Sequence, residues 1–137
     1  MKTYNTKQSD IQRVWHLIDA HDQVVGRLST KIAGLLMGKS KPYFIRNLDC
    51  GDFVVVINAQ TAKLTGNKEN KKNYYHHTGY PAGLRTQTAS QVRASHPDRL
   101  ISHAVAGMLP QNKLKDKMLT RLYVYSGSEH PYGGQFK

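Results

Sequence analysis

The chain is poor in cysteine, in acidic residues and in long apolar runs, and each shortage closes off a class of function. Cys50 is the single cysteine among 137 residues, so an intramolecular disulfide and a cysteine-based zinc finger are excluded. No apolar stretch approaches the ~18 residues that cross a bilayer. The opening MKTYNTKQSD has no apolar signal core, so secretion is not indicated and a cytoplasmic protein is expected. Binding to a membrane surface would call for a long basic amphipathic helix with aromatic anchors, and none is found. The G-x-G-x-x-G and G-x-S-x-G patterns are missing as well, which argues against a dinucleotide cofactor and against a hydrolase of the nucleophile-elbow type.

Acids are the most telling shortage. Nine Asp and Glu face 20 Lys and Arg, for a formal charge of +11. A folded domain with that excess repels itself unless anions surround it, and solubility alone needs a net charge of only ~2–8. The charge is spread from end to end instead of forming a tail. A polyphosphate partner, RNA or DNA, follows as the expectation. The length predicts one domain over residues 1–137, since single cores run to roughly 100–200 residues.

Residues 1–12 read as a polar arm. The stretch 14–20 predicts a strand. Leu28, Ile32, Leu35 and Leu36 share one face of a helix over 26–38, with Gly38 and Pro42 as stop signals. The run Asp52 to Asn58, β-branched and apolar at nearly every position, predicts a central strand buried on both faces. A short strand is expected at 62–64, a basic loop or frayed helix at 66–72, a strand at 73–78 and a long exposed turn at 79–85. Thr88 caps a short helix to Arg93, and Pro97 opens another that ends at Gly107–Pro110. A basic helix over 113–120, a strand over 121–125 and a polar tail over 126–137 complete an α/β chain with a mainly parallel sheet.

The sharpest enzymatic candidate is Gly34 to Ser40, which approaches a phosphate-binding G-x-x-x-x-G-K-[ST] loop. Its glycine spacing is one residue short, and it closes a helix instead of opening one. A nucleotide-binding enzyme is therefore the weaker alternative, and a free-standing regulatory RNA- or DNA-binding module is another. His76 and His77 sit side by side on a strand and point to opposite faces, which makes a shared metal ion difficult. Asp49 and Asp52 flank Gly51 in a turn, a poor setting for paired acid catalysis.

Basic and aromatic residues interleave in three segments: 38–46, 63–85 and 113–125. Lys and Arg neutralise phosphates, and planar rings accept unstacked bases. Tyr123 and Tyr125, on an alternating strand, are candidates for the core, whereas Tyr74, Tyr75 and Tyr80 are expected to meet a partner. The candidate RNA-binding residues are Lys39, Lys41 and Arg46; Lys68, Lys71 and Lys72; Tyr75, His76, His77 and Arg85; and Lys113, Lys117 and Arg121.

Several ordered blocks carry a resemblance. Asp49 to Ala59, Leu64 to Lys68, Tyr74 to Gly79, Gly107 to Pro110, and Met118 through Leu122, Val124, Tyr125 and Gly127 to His130-Pro131 resemble, in order and spacing, the bacterial-type large-subunit ribosomal protein thirteen family. The resemblance spans about residues 3–135. It implies a three-layer α/β/α fold with a four-stranded, mostly parallel sheet and long basic loops. It also implies binding to large-subunit (23S-type) ribosomal RNA among neighbouring large-subunit proteins, and a part in subunit assembly. No catalysis, cofactor, metal or small-molecule substrate is implied. Among the candidates, it adds weight to Lys68, Tyr75, His76 and His77. Ala82 departs from the family pattern, standing where glycine is common.

Overall fold

The computed structural model describes residues 3–136, so Met1 and Lys2 of the arm and Lys137 of the tail lie outside the described residues. In chain order the elements are β1 (Trp15–Asp19), α1 (Val25–Met37), β2 (Phe53–Ile57), α2 (Lys68–Lys71), β3 (Asn73–His77), β4 (Leu84–Thr88), α3 (Ala89–Ser95), α4 (Pro97–Met108), α5 (Leu114–Leu119) and β5 (Leu122–Val124). Short 3-10 turns lie at Gln8–Asp10, Ala59–Thr61 and Gly133–Gln135.

The valine run sets the centre. Strand β2 pairs in parallel with β1 on one side and β5 on the other, and Val54, Val55 and Val56 are fully buried. Side chains alternate across a strand, so Ile18, Val54, Val56, Leu122 and Val124 share one face. There they join a single cluster with Leu28, Ile32 and Leu36 of α1, Ile101 and Val105 of α4, and Met118 of α5. Burying each of these larger side chains stabilises the fold by roughly 1.5–3 kcal/mol before entropy is counted. The other face carries rings. Trp15 stacks on Phe53 with centroids 4.4 Å apart, and Tyr123 and Tyr132 lie at 5.9 and 5.1 Å from Trp15. Phe136 meets Trp15 edge-on at 6.4 Å.

Several features differ from expectation. Among the described residues the parallel sheet has three strands, not four. Residues 62–64 contribute one bridge, Val24 to Lys63, because a 3-10 turn ends just before them and Gly66 turns the chain in the left-handed region just after. The tail packs as well: α1, α4 and α5 join the Val54 and Val56 face, whereas Tyr132 and Phe136 of the expected polar tail meet Trp15 on the ring-bearing face.

The expected long turn at 79–85 is shorter than that. Leu84 and Arg85 already belong to β4, which pairs antiparallel with β3 from His77–Leu84 to Asn73–Thr88. Strand β4 reads Leu-Arg-Thr-Gln-Thr, which shows no apolar alternation; its backbone pairing holds it. The turn is closed by Thr78 N–H donating to the Gly83 carbonyl at 3.0 Å. Thr88 ends the hairpin and starts α3 at once. Its hydroxyl accepts from Gln91 N–H while the Gln91 carboxamide accepts from Thr88 N–H, a reciprocal cap.

Candidate nucleic-acid interface

Two of the thirteen candidate cations and rings belong to an internal hub. Arg121 is 7% exposed, and all five of its N–H donors are engaged. The two terminal nitrogens grip Asp49 through both oxygens at 2.5 Å each. The same nitrogens also donate to the carbonyls of Lys117 and Leu36, and Nε donates to that of Asp52. Lys41 likewise spends three N–H groups: on Asp52 Oδ1 at 2.5 Å, on the Cys50 carbonyl at 2.9 Å and on the Gln12 carbonyl at 2.6 Å. The expectation that Lys41 and Arg121 face RNA is therefore corrected: with charge and donors satisfied inside the protein, neither has anything left for a phosphate.

The hub explains the Asp49-Cys50-Gly51-Asp52 turn. Asp52 Oδ1 also accepts Val14 N–H at 3.0 Å, and Oδ2 lies 2.9 Å from His16 Nε2. Burial pushes the Asp52 carboxyl up, but Lys41, the Val14 N–H and His16 outweigh it and hold it below the usual carboxylate value. Arg13 adds bonds to the Gly51 and Asp49 carbonyls. Gly51 is needed because a Cβ there would lie 1.6 Å from the Leu36 carbonyl oxygen. The two carboxylates thus tie β1, α1, β2 and β5 together.

The same geometry disposes of the phosphate-loop alternative. Gly38 is the left-handed cap of α1, its N–H donating to the Gly34 and Leu35 carbonyls, and Lys39 N–H also donates to Gly34. Those amides face back into the helix that has just ended, whereas a phosphate loop needs them free ahead of a helix.

The remaining candidates lie on the exposed side of three loop regions. Lys68, Lys71 and Lys72 surround the single turn of α2, with Lys68 Nζ 3.2 Å from Thr65 Oγ1. Lys39 and Arg46 border a small groove floored by Met37, Phe44 and Met118, and Lys113 and Lys117 are exposed around α5 beyond it. Tyr75, His76, His77 and Arg85 lie on the hairpin. Pairing sets Tyr75 opposite Thr86 and His77 opposite Leu84 on one face, and His76 opposite Arg85 on the other. The outer face is open: Tyr75 is 67% exposed and Leu84 58%. None of these cations forms an ion pair among the described residues. The described pairs with Asp or Glu engage Arg13, Lys41, Lys63, Arg93 and Arg121, besides His16 and His21.

The hairpin's inner face closes on α4. Tyr74 packs with Val92 and Leu100 and meets the His103 ring edge-on at 5.3 Å, while Lys72 Nζ stands 5.4 Å over the Tyr74 ring. Tyr74 is thus half core and half surface. Burial and the neighbouring Glu69 carboxylate raise its phenol above the ordinary value, so it stays a neutral donor. Arg99 and His103 are not among the candidates read from the sequence, although a signal exists: with Ser102 they form the polar stripe of a helix whose other side carries Leu100, Ile101 and Val105.

The comparisons with known proteins agree with one another. The family model described as ribosomal protein L13 matches residues 13–131. The chain is 48% identical over 135 residues to the large ribosomal subunit protein uL13 of Halorhodospira halophila, covering 98% of this chain and 95% of that one. It is 50% identical over 135 residues to the proteins of the same name from Saccharopolyspora erythraea and Syntrophomonas wolfei, covering 98% of this chain and 91% and 94% of theirs. With the family model spanning most of its length and relatives this similar over nearly all of it, the chain belongs to the ribosomal protein L13 family.

Proposed function

We infer that the chain is a structural constituent of the large ribosomal subunit, a cytoplasmic, non-enzymatic protein that binds large-subunit rRNA and supports assembly of the subunit for translation. The observation that carries this reading is the set of exposed cations without acid partners among the described residues, carried by loops around one helix-backed sheet, in a chain whose relatives are named large ribosomal subunit proteins. Lys39, Arg46, Lys68, Lys71, Lys72, Lys113 and Lys117 neutralise phosphates on separate RNA segments. Tyr75, His76 and His77 add planar surfaces that stack on bases, and Arg85 adds a further cation beside them. Cations on several sides suit a protein embedded among RNA segments and neighbouring large-subunit proteins. They suit a visitor to one duplex groove less well. Anions bound only by the folded chain also stabilise it by linkage.

Fractionating ribosomes in high salt tests the reading. The protein is expected to stay with large-subunit particles through washes that strip loosely bound factors. Recovery in the soluble fraction, or with small-subunit particles, would overturn it.

A further inference from the structure

The cleft between the β3–β4 hairpin and α4 holds about 780 Å³, within the ~300–1,000 Å³ range of small-ligand sites. Its hairpin wall presents His76, Arg85 and Gln87, and its helix wall presents Arg99, Ser102 and His103, with Tyr74 between them. Among the described residues no carboxylate lines it. Glu69, the acid that reaches Tyr74 electrostatically, is held by Arg93 through both oxygens at 2.8 and 3.1 Å.

We propose that this cleft takes a single unpaired RNA nucleotide, its base turned out of the RNA and stacked among His76, Tyr74 and His103, its phosphate held by Arg85 and Arg99. The proposal rests on the rRNA-binding reading above and names a site within it. Two arguments favour an extruded nucleotide over a duplex. The rings line a concave space, and the outside of a duplex offers it backbone, 2′-hydroxyls and base edges but no base faces, which are stacked inside. The cleft also combines three chemistries a nucleotide presents together: cations for phosphate, rings for the base face, and the Gln87 amide and Ser102 hydroxyl for the base edge or the 2′-OH. Arg99 and His103, one helical turn apart, are thereby assigned to RNA recognition.

The test measures binding of the full chain to deproteinised large-subunit rRNA over a range of salt concentrations, with Arg99→Ala, Arg99→Lys, His103→Ala and His103→Phe variants. Each variant is checked for an unchanged thermal melt; both side chains are exposed. His103→Ala is expected to weaken binding roughly five-fold or more with the salt slope unchanged, and His103→Phe to restore it. Arg99→Ala should lower the salt slope by about one, and Arg99→Lys should keep it. Chemical probing of the 2′-hydroxyls should reveal an unpaired nucleotide whose reactivity changes on binding wild type and reverts with His103→Ala. If wild type binds tightly while Arg99→Ala and His103→Ala match it, or if every nucleotide sensitive to His103 is paired, the cleft proposal falls and the rRNA-binding reading stands. Failure of wild type to bind large-subunit rRNA would overturn that reading itself.

Discussion

Arg121 and Arg85 carry the same guanidinium in opposite electrostatic settings. Arg121 is buried with all five donors spoken for, its charge cancelled by Asp49 and its remaining N–H groups held by main-chain carbonyls. Arg85 stands on an exposed hairpin opposite His76 and has no acid partner among the described residues. The difference lies in where the few acids go. Nine Asp and Glu cannot balance 20 cations. Asp49 and Asp52 are both spent on joining the strands and α1, and their absence from the hairpin cleft leaves that surface strongly positive. Placement of acids, more than placement of cations, divides the molecule into a scaffold and a binding surface.

The strongest way to break this division is to remove one partner of the hub. Arg121→Met leaves Asp49 part-buried with Arg13 as its remaining cation, at 3.7 Å, and frees several carbonyls. Loss of one member of a buried pair typically costs about 3–5 kcal/mol, and urea unfolding should register a loss of that order. The salt slope of rRNA binding by the folded variant should not move, since the Arg121 donors are all spent inside the protein. A slope lowered by one with stability unchanged would place Arg121 on the RNA surface after all. The converse change, Lys68→Ala with Lys71→Ala, should leave stability within about 0.5 kcal/mol for each exposed site. It should lower the salt slope by about two, one for each phosphate no longer neutralised; an unchanged slope removes α2 from the interface.

Acid separates the two regions without mutation. The Asp52 carboxyl is held below its ordinary value in the folded chain, so below that ordinary value, roughly 3.9, the unfolded chain binds the extra proton. The stability Asp52 contributes is therefore complete above about pH 4 and is lost as pH falls through its depressed folded value. Wild type should lose stability over that window, and Asp52→Asn, already weaker, should lose less. Equal losses would show that other carboxylates govern acid unfolding.

Much of the scaffold is legible in single residues. Leu28, Ile32 and Leu36 at helical spacing find α1, the valines find the central strand, and Thr88 and Pro97 mark the starts of α3 and α4 within a residue. These signals are local: periodicity, caps and β-branched runs act over a few residues. Long-range partnerships are not legible in this way. Arg121 and Asp49 are 72 positions apart, and nothing in the order of residues separates a lysine destined for Asp52 from one destined for RNA. Strand β4 is hidden in the sequence because pairing with β3 holds it in place, and its polar residues carry no pattern. His103 is legible as part of α4's polar stripe; its meeting with Tyr74 requires the tertiary fold.

The smallest test concerns the tip of the exposed region. Ala82 adopts φ of +57°, a conformation that costs an L-residue roughly 1–2 kcal/mol relative to the right-handed region. Ala82→Gly removes that cost but gives the unfolded chain more freedom, which takes back about 0.4–1 kcal/mol. The balance is a stabilisation of about 0.5 kcal/mol, and it is local, because the hairpin can open without the sheet. Hydrogen exchange at the Thr78 and Gly83 amides, both bonded within the turn, should slow about two-fold. The Asp52 amide, bonded to Leu35 beside the hub, should be unaffected, since among the described residues no hydrogen bond links the turn to the hub. Slowing at both places would mean that hairpin and scaffold open as one unit, and the division drawn between Arg121 and Arg85 would then be one of electrostatics without independence of folding.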